Sequence, residues 1–542
     1  MSPPEPDWRE RGSEPSGTPG PLTSTVVRGA GIASGGYVVA QVISFASYLA
    51  LARLLTPSQF GMFAAAIVVV GIGAIIGESG MLAALIQRRD RLEAALESAF
   101  VATLAAGVLL SALSLAAAPV IGVFFNSGKV TVVAAAMSAS MLFRLAVIVP
   151  NALLQRRFSF IRRVAIDPLG MLAFAAAAVT SAALGLGVWS LVIGTYSQLA
   201  FDLLAAWLFA GWRPHPSRAS MRVWRELARF GRPVVIAEMI RNGITALPVI
   251  ALGRFAGAGT IGQYSYASRV SKQPSDAGLA LGAYVLLPAL SRVAHDAQRF
   301  RAALTRALRW MCAVSFPLGM LLVPLGTSAV VLVFGARWHA AGEAVMPLGV
   351  YAALLALDSI ASEVWKAAGR PDMLPRMHAL SFVLIAALIA ALVVPFGLIG
   401  VATGIALSGV GVGAYAVYGI HRVAQVPLSR LLAEIWPPAV AAAVMAGVLF
   451  FTEHGLLHSD HHALPVGAIM LIIQGLVGIM LYLCCLSALS PGCRGELVAV
   501  IRHTLGGRLR RGSNMEGPAH APVPRPAHVP AGRSAHVRTG TS

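Results

Sequence analysis

Charge is scarce in this chain. Asp, Glu, Lys and Arg make up 12% of its 542 residues, and the acidic ones number 23 against 42 basic. Cysteine is scarcer still: Cys312, Cys484, Cys485 and Cys493 show no CxxC spacing, and the first three fall in apolar runs, which reads as packed thiols with no disulfide or metal role. Nothing resembles the glycine-rich phosphate loop of nucleotide hydrolases, and no nucleophile stands with a base and an orienting partner. Neither ATP hydrolysis nor covalent catalysis is therefore expected, so the chain reads as a non-enzyme that needs no cofactor.

What the chain has instead is apolar length. About fourteen stretches between residues 31 and 489 can each cross the roughly 30 Å hydrocarbon core of a bilayer, which predicts an all-α polytopic membrane protein. The charges fall in alternate gaps between those stretches. One set holds Arg88, Arg89 and Arg91, then Arg156, Arg157, Arg162 and Arg163, then residues 213–232, 292–309, 366–376 and 422–430. The intervening gaps hold little more than Arg53, Lys129, Arg254 and Arg337. Positively charged loops stay cytoplasmic, so the first set faces inward, and an even number of spans puts both termini in the cytoplasm. The net charge of +19 then reads as topology and contact with anionic lipid, not as a nucleic-acid surface.

The chain also repeats itself. Arg53, Gly61 and Phe63 recur as Arg254, Gly262 and Tyr264 at identical spacing, Leu186-Gly187-Val188 recurs as Ile399-Gly400-Val401, and Gln155-Arg156 as Gly369-Arg370. Equivalent points are separated by an even number of spans, so the two copies share orientation, and two parallel six-helix lobes follow. The expected organisation is a disordered N-terminus (1–28), an N-lobe (29–212), an amphipathic cytoplasmic linker (213–232), a C-lobe (233–422), two C-terminal spans (423–490) and a disordered basic tail (491–542).

The runs ALARLLTPSQFGMFAAA, GESGMLAALIQRRD, NALLQRRFSFIRR, GLGVWSLVIG and IGQYSYASRV, with LLPALSRV after the last, together resemble bacterial polysaccharide-transport flippases of the multidrug/oligosaccharidyl-lipid/polysaccharide exporter superfamily. That resemblance implies a MATE-like fold and the movement of an undecaprenyl-pyrophosphate-linked oligosaccharide from the cytoplasmic to the outer leaflet, for O-antigen, exopolysaccharide or capsule assembly. It implies the lipid-linked oligosaccharide, the bilayer, a polysaccharide polymerase and glycosyltransferases as partners. The family carries no strict catalytic signature, so it assigns no residue role here.

Candidate site residues come from charge inside the membrane, where an ionisable group at a helix centre costs a few kcal/mol. Arg269, Lys272 and Asp276 are spaced to share one helical stripe; a fork and a mobile cation suit a pyrophosphate, while Lys272 and Asp276 alone would make a structural pair. Glu238 and Arg241 form an i, i+3 pair that reads equally as an internal salt bridge or a ligand contact. In the repeat register Arg144 stands opposite Asp358, which suggests either a cross-lobe gate or two locally paired charges. Glu78 and Asp202 are lone acids of the type that carries a proton or sodium, or, more often, caps a packed polar cluster. The histidines between Glu453 and His462 have spacing that could bind zinc, but a solvated loop is the better reading and no metal site is expected.

Three rivals share parts of this pattern. An ion-coupled multidrug exporter on the same fold needs an acidic cavity. A flippase for the peptidoglycan lipid precursor needs the same basic one. A membrane glycan polymerase or ligase needs a large outer loop, and the outer gaps here are short.

Overall fold

The structure, a computed structural model, describes residues 39–88, 90–156, 160–215, 219–293, 296–459 and 462–490. The expectations for residues 1–28 and 491–542 lie outside the described residues, as do the side chains of Glu78 and Asp276. The chain divides into a large unit, Met1–Leu486, and a short one, Ser487–Ser542; everything below concerns the first.

Among the described residues all regular structure is helical. The helices are α1 (Val39–Leu54), α2 (Pro57–Gln87), α3 (Leu92–Phe124), α4 (Gly128–Ser138), α5 (Ser140–Ala146), α6 (Ile148–Arg156), α7 (Phe160–Ala183), α8 (Trp189–Ala210), α9 (Met221–Phe255), α10 (Ala258–Val293), α11 (Ala297–Phe334), α12 (His339–Ala367), α13 (Met373–Ala424), α14 (Leu428–Thr452) and α15 (Leu464–Leu489). Eleven helical stretches are long and apolar enough to cross a membrane, α4 to α6 counting together as one. Helix α13 is two spans joined at Gly397, whose φ of +54° only glycine adopts freely, with Pro395 just before it. Adding α1 and the charged α10 gives the fourteen helices the sequence predicts.

Local chemistry explains the ends and breaks. The LTPSQF run starts α2 because the Thr56 hydroxyl accepts from the Gln59 amide while the Gln59 side chain accepts from the Thr56 amide, with Pro57 at the first helical position. The fourth span is not one continuous rod. Pro150 cannot donate to the Ala146 carbonyl, and the side chains of Ser138 and Ser140 bond back to carbonyls three residues earlier, at 2.7 and 2.6 Å. Helix α8 takes up the carbonyls at both breaks: the Tyr196 hydroxyl donates to Ala136 and the Trp207 indole to Ala146. The bend thus fixes α5, the short helix that carries Arg144.

The expected linker helix exists but does not stop at the membrane. It begins at Met221 and runs unbroken to Phe255 as α9. Val223 and Leu227 bury against Leu85, Leu96 and Leu153 of the N-lobe, while Arg222, Arg225 and Arg229 stay exposed. The helix continues through Gly231 and Pro233 even though both weaken it, so linker and seventh span merge.

Helix α14 is anchored to α11 by a two-pronged pair, Arg309 Nε to Glu434 Oε2 at 2.6 Å and Nη2 to Oε1 at 2.8 Å, about four-fifths buried. Charged hydrogen bonds of this kind contribute about 1.5–3 kcal/mol, so Glu434→Gln is expected to lower the melting temperature of the detergent-solubilised protein by several degrees while Glu434→Asp recovers part of it. An unchanged melting curve for Glu434→Gln would remove this pair from the account of how α14 is held.

Candidate functional site

Each lobe encloses a polar cavity of about 210 Å³. The N-lobe cavity is lined by Leu82 of α2, Arg144, Ile148 and Asn151 of the bent fourth span, Asp167 of α7, and Asp202 of α8. The C-lobe cavity is lined by Arg241 and Thr245 of α9, Lys272 of α10, Tyr351 and Asp358 of α12, and His378 and Ser381 of α13. With histidine neutral, the N-lobe cavity carries one cation against two carboxylates and the C-lobe cavity two cations against one carboxylate. One carboxylate oxygen of Asp202 and one of Asp358 are buried without a hydrogen-bond partner among the described residues. Such groups are costly unless a proton, an ion or a ligand meets them.

The sequence-derived candidates divide between these places. Arg241 lines the C-lobe cavity and also donates through Nε to Glu238 at 2.8 Å, so the pair is a salt bridge with one member facing the cavity. Lys272 lines the same cavity. Arg269, three residues earlier, does not line it: its guanidinium lies 3.3 Å from the centre of the Tyr48 ring on α1, a cation–π contact across the lobes. The proposed stripe therefore splits, because Tyr48 draws Arg269 to the seam. Arg144 and Asp358 line separate cavities, and no ion pair joins them in this conformation. Asp276 and Glu78 lie on α10 and α2 with side chains outside the described set.

Other participants were not singled out by the sequence. Tyr351 is a single polar residue in an apolar run, and His378, two residues after Arg376, reads as the edge of a basic loop. Arg53 and Arg337 read only as sparse cations in the outer gaps, but the structure makes them cross-lobe fasteners. Arg53 donates to the carbonyls of Leu332 and Val333 at 2.7 and 2.9 Å, and Arg337 to that of Leu55 at 3.4 Å. The Trp338 indole donates to Ala52 at 3.0 Å and the Tyr266 hydroxyl to Tyr48 at 2.9 Å, with Phe60 edge to face against Tyr266 and Trp338, whose own rings lie tilted with centres 4.0 Å apart. The repeat glycines meet here: a β-carbon on Gly61 would fall on the carbonyl of Ala258, and one on Gly262 on that of Pro57. The lobes are thus closed at the end bearing Arg53 and Arg337.

At the opposite end Arg88 donates to Glu226 at 2.8 Å, joining α2 to α9, and this hydrogen bond holds the Glu226 carboxyl below its ordinary pKa. Cys312 is buried, Cys484 exposed and Cys485 partly buried, none of the three in a disulfide, and Cys493 lies outside the described residues. In the histidine-bearing loop Glu453 is buried and accepts from Ser459 and Gln474, while Asp460 and His461 lie outside the described residues.

Two helical lobes, closed against each other at one end and each lined with a cavity, make up a fold that solved membrane transporters share. A structure of the lipid II flippase MurJ in an inward closed conformation superposes with a TM-score of 0.69 at 15% identity, covering 84% of this chain and 98% of that one. An inward-facing MATE-family multidrug resistance transporter gives 0.53 at 16% identity over 74% and 94%. Residues 50–343 match the family described as polysaccharide biosynthesis protein, and the chain belongs to that family. The succinoglycan biosynthesis transport protein ExoT of Rhizobium meliloti is 28% identical over 307 residues, 55% of this chain and 60% of that protein. The lipopolysaccharide biosynthesis protein WzxC of Escherichia coli is 23% identical over 332 residues, 60% of this chain and 66% of that protein. The matched stretches thus span about two thirds or less of either relative's length.

Proposed function

We propose that this chain is a flippase, not an enzyme, that carries an undecaprenyl-pyrophosphate-linked oligosaccharide from the cytoplasmic to the outer leaflet by alternating access, in the assembly of an O-antigen, exopolysaccharide or capsule. The observation that carries the reading is the pairing of Arg241 and Lys272 in one cavity of a chain belonging to a polysaccharide biosynthesis family. A guanidinium fork and a mobile ammonium are the groups that bind a pyrophosphate. The net basic C-lobe lining supports this over export of cationic drugs, and the net acidic N-lobe lining suits a coupling proton or sodium.

By the positive-inside rule the arginine-rich loops support a closed end that faces outward, with the cavities loaded from the cytoplasm. Arg269 on Tyr48 and Arg144 in the N-lobe cavity are further contacts for an anionic headgroup, while Asp202, Asp358 and Glu78 are the acids for any proton or sodium that couples to the cycle. The membrane potential supplies drive of its own: each negative charge moved outward across 100 mV, inside negative, releases about 2.3 kcal/mol.

In cells that make the glycan, loss of this chain is expected to halt surface glycan and to accumulate its lipid-linked precursor in the inner leaflet, measured by extraction and by surface labelling. Loss of surface glycan without precursor would place the chain upstream of transport and overturn the reading.

A further inference from the structure

One apolar concavity lies apart from both lobe cavities. It is a groove of about 500 Å³ between α3 and the start of α9, lined by Ser98, Val101, Ala102, Ala105, Ala106 and Leu109 on one side and Ala219, Ser220, Met221 and Trp224 on the other. The α3 residues follow the i, i+3, i+4, i+7 spacing of one helical face, and small side chains at 98, 102, 105 and 106 hollow that face out. The opposite wall is held in place. The His215 amide donates to Glu97 at 2.8 Å and the Ser220 amide to the Ser98 hydroxyl at 2.9 Å, so the chain entering α9 is tied over the start of α3. A wall pinned by two side-chain acceptors is a built feature, unlike the shallow relief of a helix in lipid.

We propose that this groove binds one acyl chain of an anionic phospholipid of the cytoplasmic leaflet. Three observations commit the occupant. From Ser98 to Leu109 the groove runs eleven residues, about 16 Å at 1.5 Å per residue, and one leaflet's hydrocarbon is about 15 Å deep. Trp224 stands at its mouth, the interfacial position aromatic rings prefer. On the same helical segment Arg222, Arg225 and Arg229 are exposed while Val223 and Leu227 are buried, so cations are presented at headgroup level beside the groove. The lipid would brace the α9 start that Arg88 and Glu226 connect to α2, and so bear on the segment joining the two lobes.

The test uses the full chain in vesicles containing a phosphatidylglycerol with a photoreactive group midway along one acyl chain, followed by peptide mapping. Crosslinks are expected at residues 98–109 and 219–224. Ala105→Trp, which fills the groove floor, should cut them at least about tenfold, while Val108→Trp on the lipid-facing side of the same helix should leave them unchanged and controls for folding. Arg222→Ala with Arg225→Ala should abolish the preference for phosphatidylglycerol over phosphatidylethanolamine while acyl labelling persists. Equal labelling of wild type and Ala105→Trp would overturn the proposal by reducing the groove to ordinary lipid contact. Displacement of the label by undecaprenyl phosphate but not by excess phosphatidylglycerol would also overturn it, because the groove would then belong to the carrier.

Discussion

Valine at both Gly61 and Gly262 is expected to hold the outer seam open and to stop transport, with the protein still present in the membrane. At both positions the obstruction is backbone: the new side chain meets the carbonyl of Ala258 in one case and of Pro57 in the other, and no rotamer relieves it. The helices must separate, and overpacking of this kind costs about 1–3 kcal/mol per site, charged here against the closed state alone. Two sites therefore shift the conformational equilibrium by at least about tenfold, since each 1.4 kcal/mol is a factor of ten. The readout is accessibility. Ala52, fully buried beneath Trp338, is replaced by cysteine in a chain cleared of native thiols, and an impermeant thiol reagent is applied from outside. Strong labelling in the double-valine background and none in its parent is expected. Protection in both, with normal export, would show that the glycine contact does not control the seam.

The second large effect concerns the C-lobe cavity. Arg241→Ala and Lys272→Ala are each expected to lower glycan export about ten- to a hundredfold, the worth of one charge-assisted hydrogen bond to a phosphate, and the double variant to abolish it. Arg241→Lys should recover only part, since it keeps the charge and loses the fork. Arg241 also pairs with Glu238, so Arg241→Ala strands a carboxylate as well. Glu238→Gln separates the two roles. Export by the Arg241→Ala, Glu238→Gln double variant should remain as low as in Arg241→Ala. Full rescue by Glu238→Gln would reduce Arg241 to a neutralising partner and leave the pyrophosphate without its fork.

The fold was legible because it is written in one-dimensional patterns. Apolar length marks spans, and a repeated Arg-x7-Gly-x-aromatic spacing marks the duplication, whose glycines turn out to touch. The site was legible only in part. Lys272 and Arg241 were found because an intramembrane charge announces itself, but their grouping with Asp358 and His378 depends on how α9, α10, α12 and α13 pack, which periodicity within one helix cannot express. Arg269 shows the limit: its spacing from Lys272 put both on one stripe, yet the Tyr48 ring on α1 draws it to the seam. Repeat register likewise set Arg144 opposite Asp358, but equivalence under a twofold axis says nothing about distance, and the two line separate cavities. Arg53 and Arg337 went unread because their partners are backbone carbonyls, which leave no mark in a sequence.

The claim that this chain moves a lipid-linked anionic glycan across the membrane is met most directly by transfer in vesicles. Purified protein is reconstituted with undecaprenyl-pyrophosphate-linked oligosaccharide loaded in one leaflet, and its arrival in the other is read by a glycan-modifying enzyme confined to that side. Protein-dependent transfer, accelerated by a membrane potential negative on the donor side and lost in the Arg241→Ala, Lys272→Ala variant, is the predicted result. Failure to transfer any such lipid, by a protein that exchanges cationic drugs for protons or sodium in the same vesicles, would contradict it.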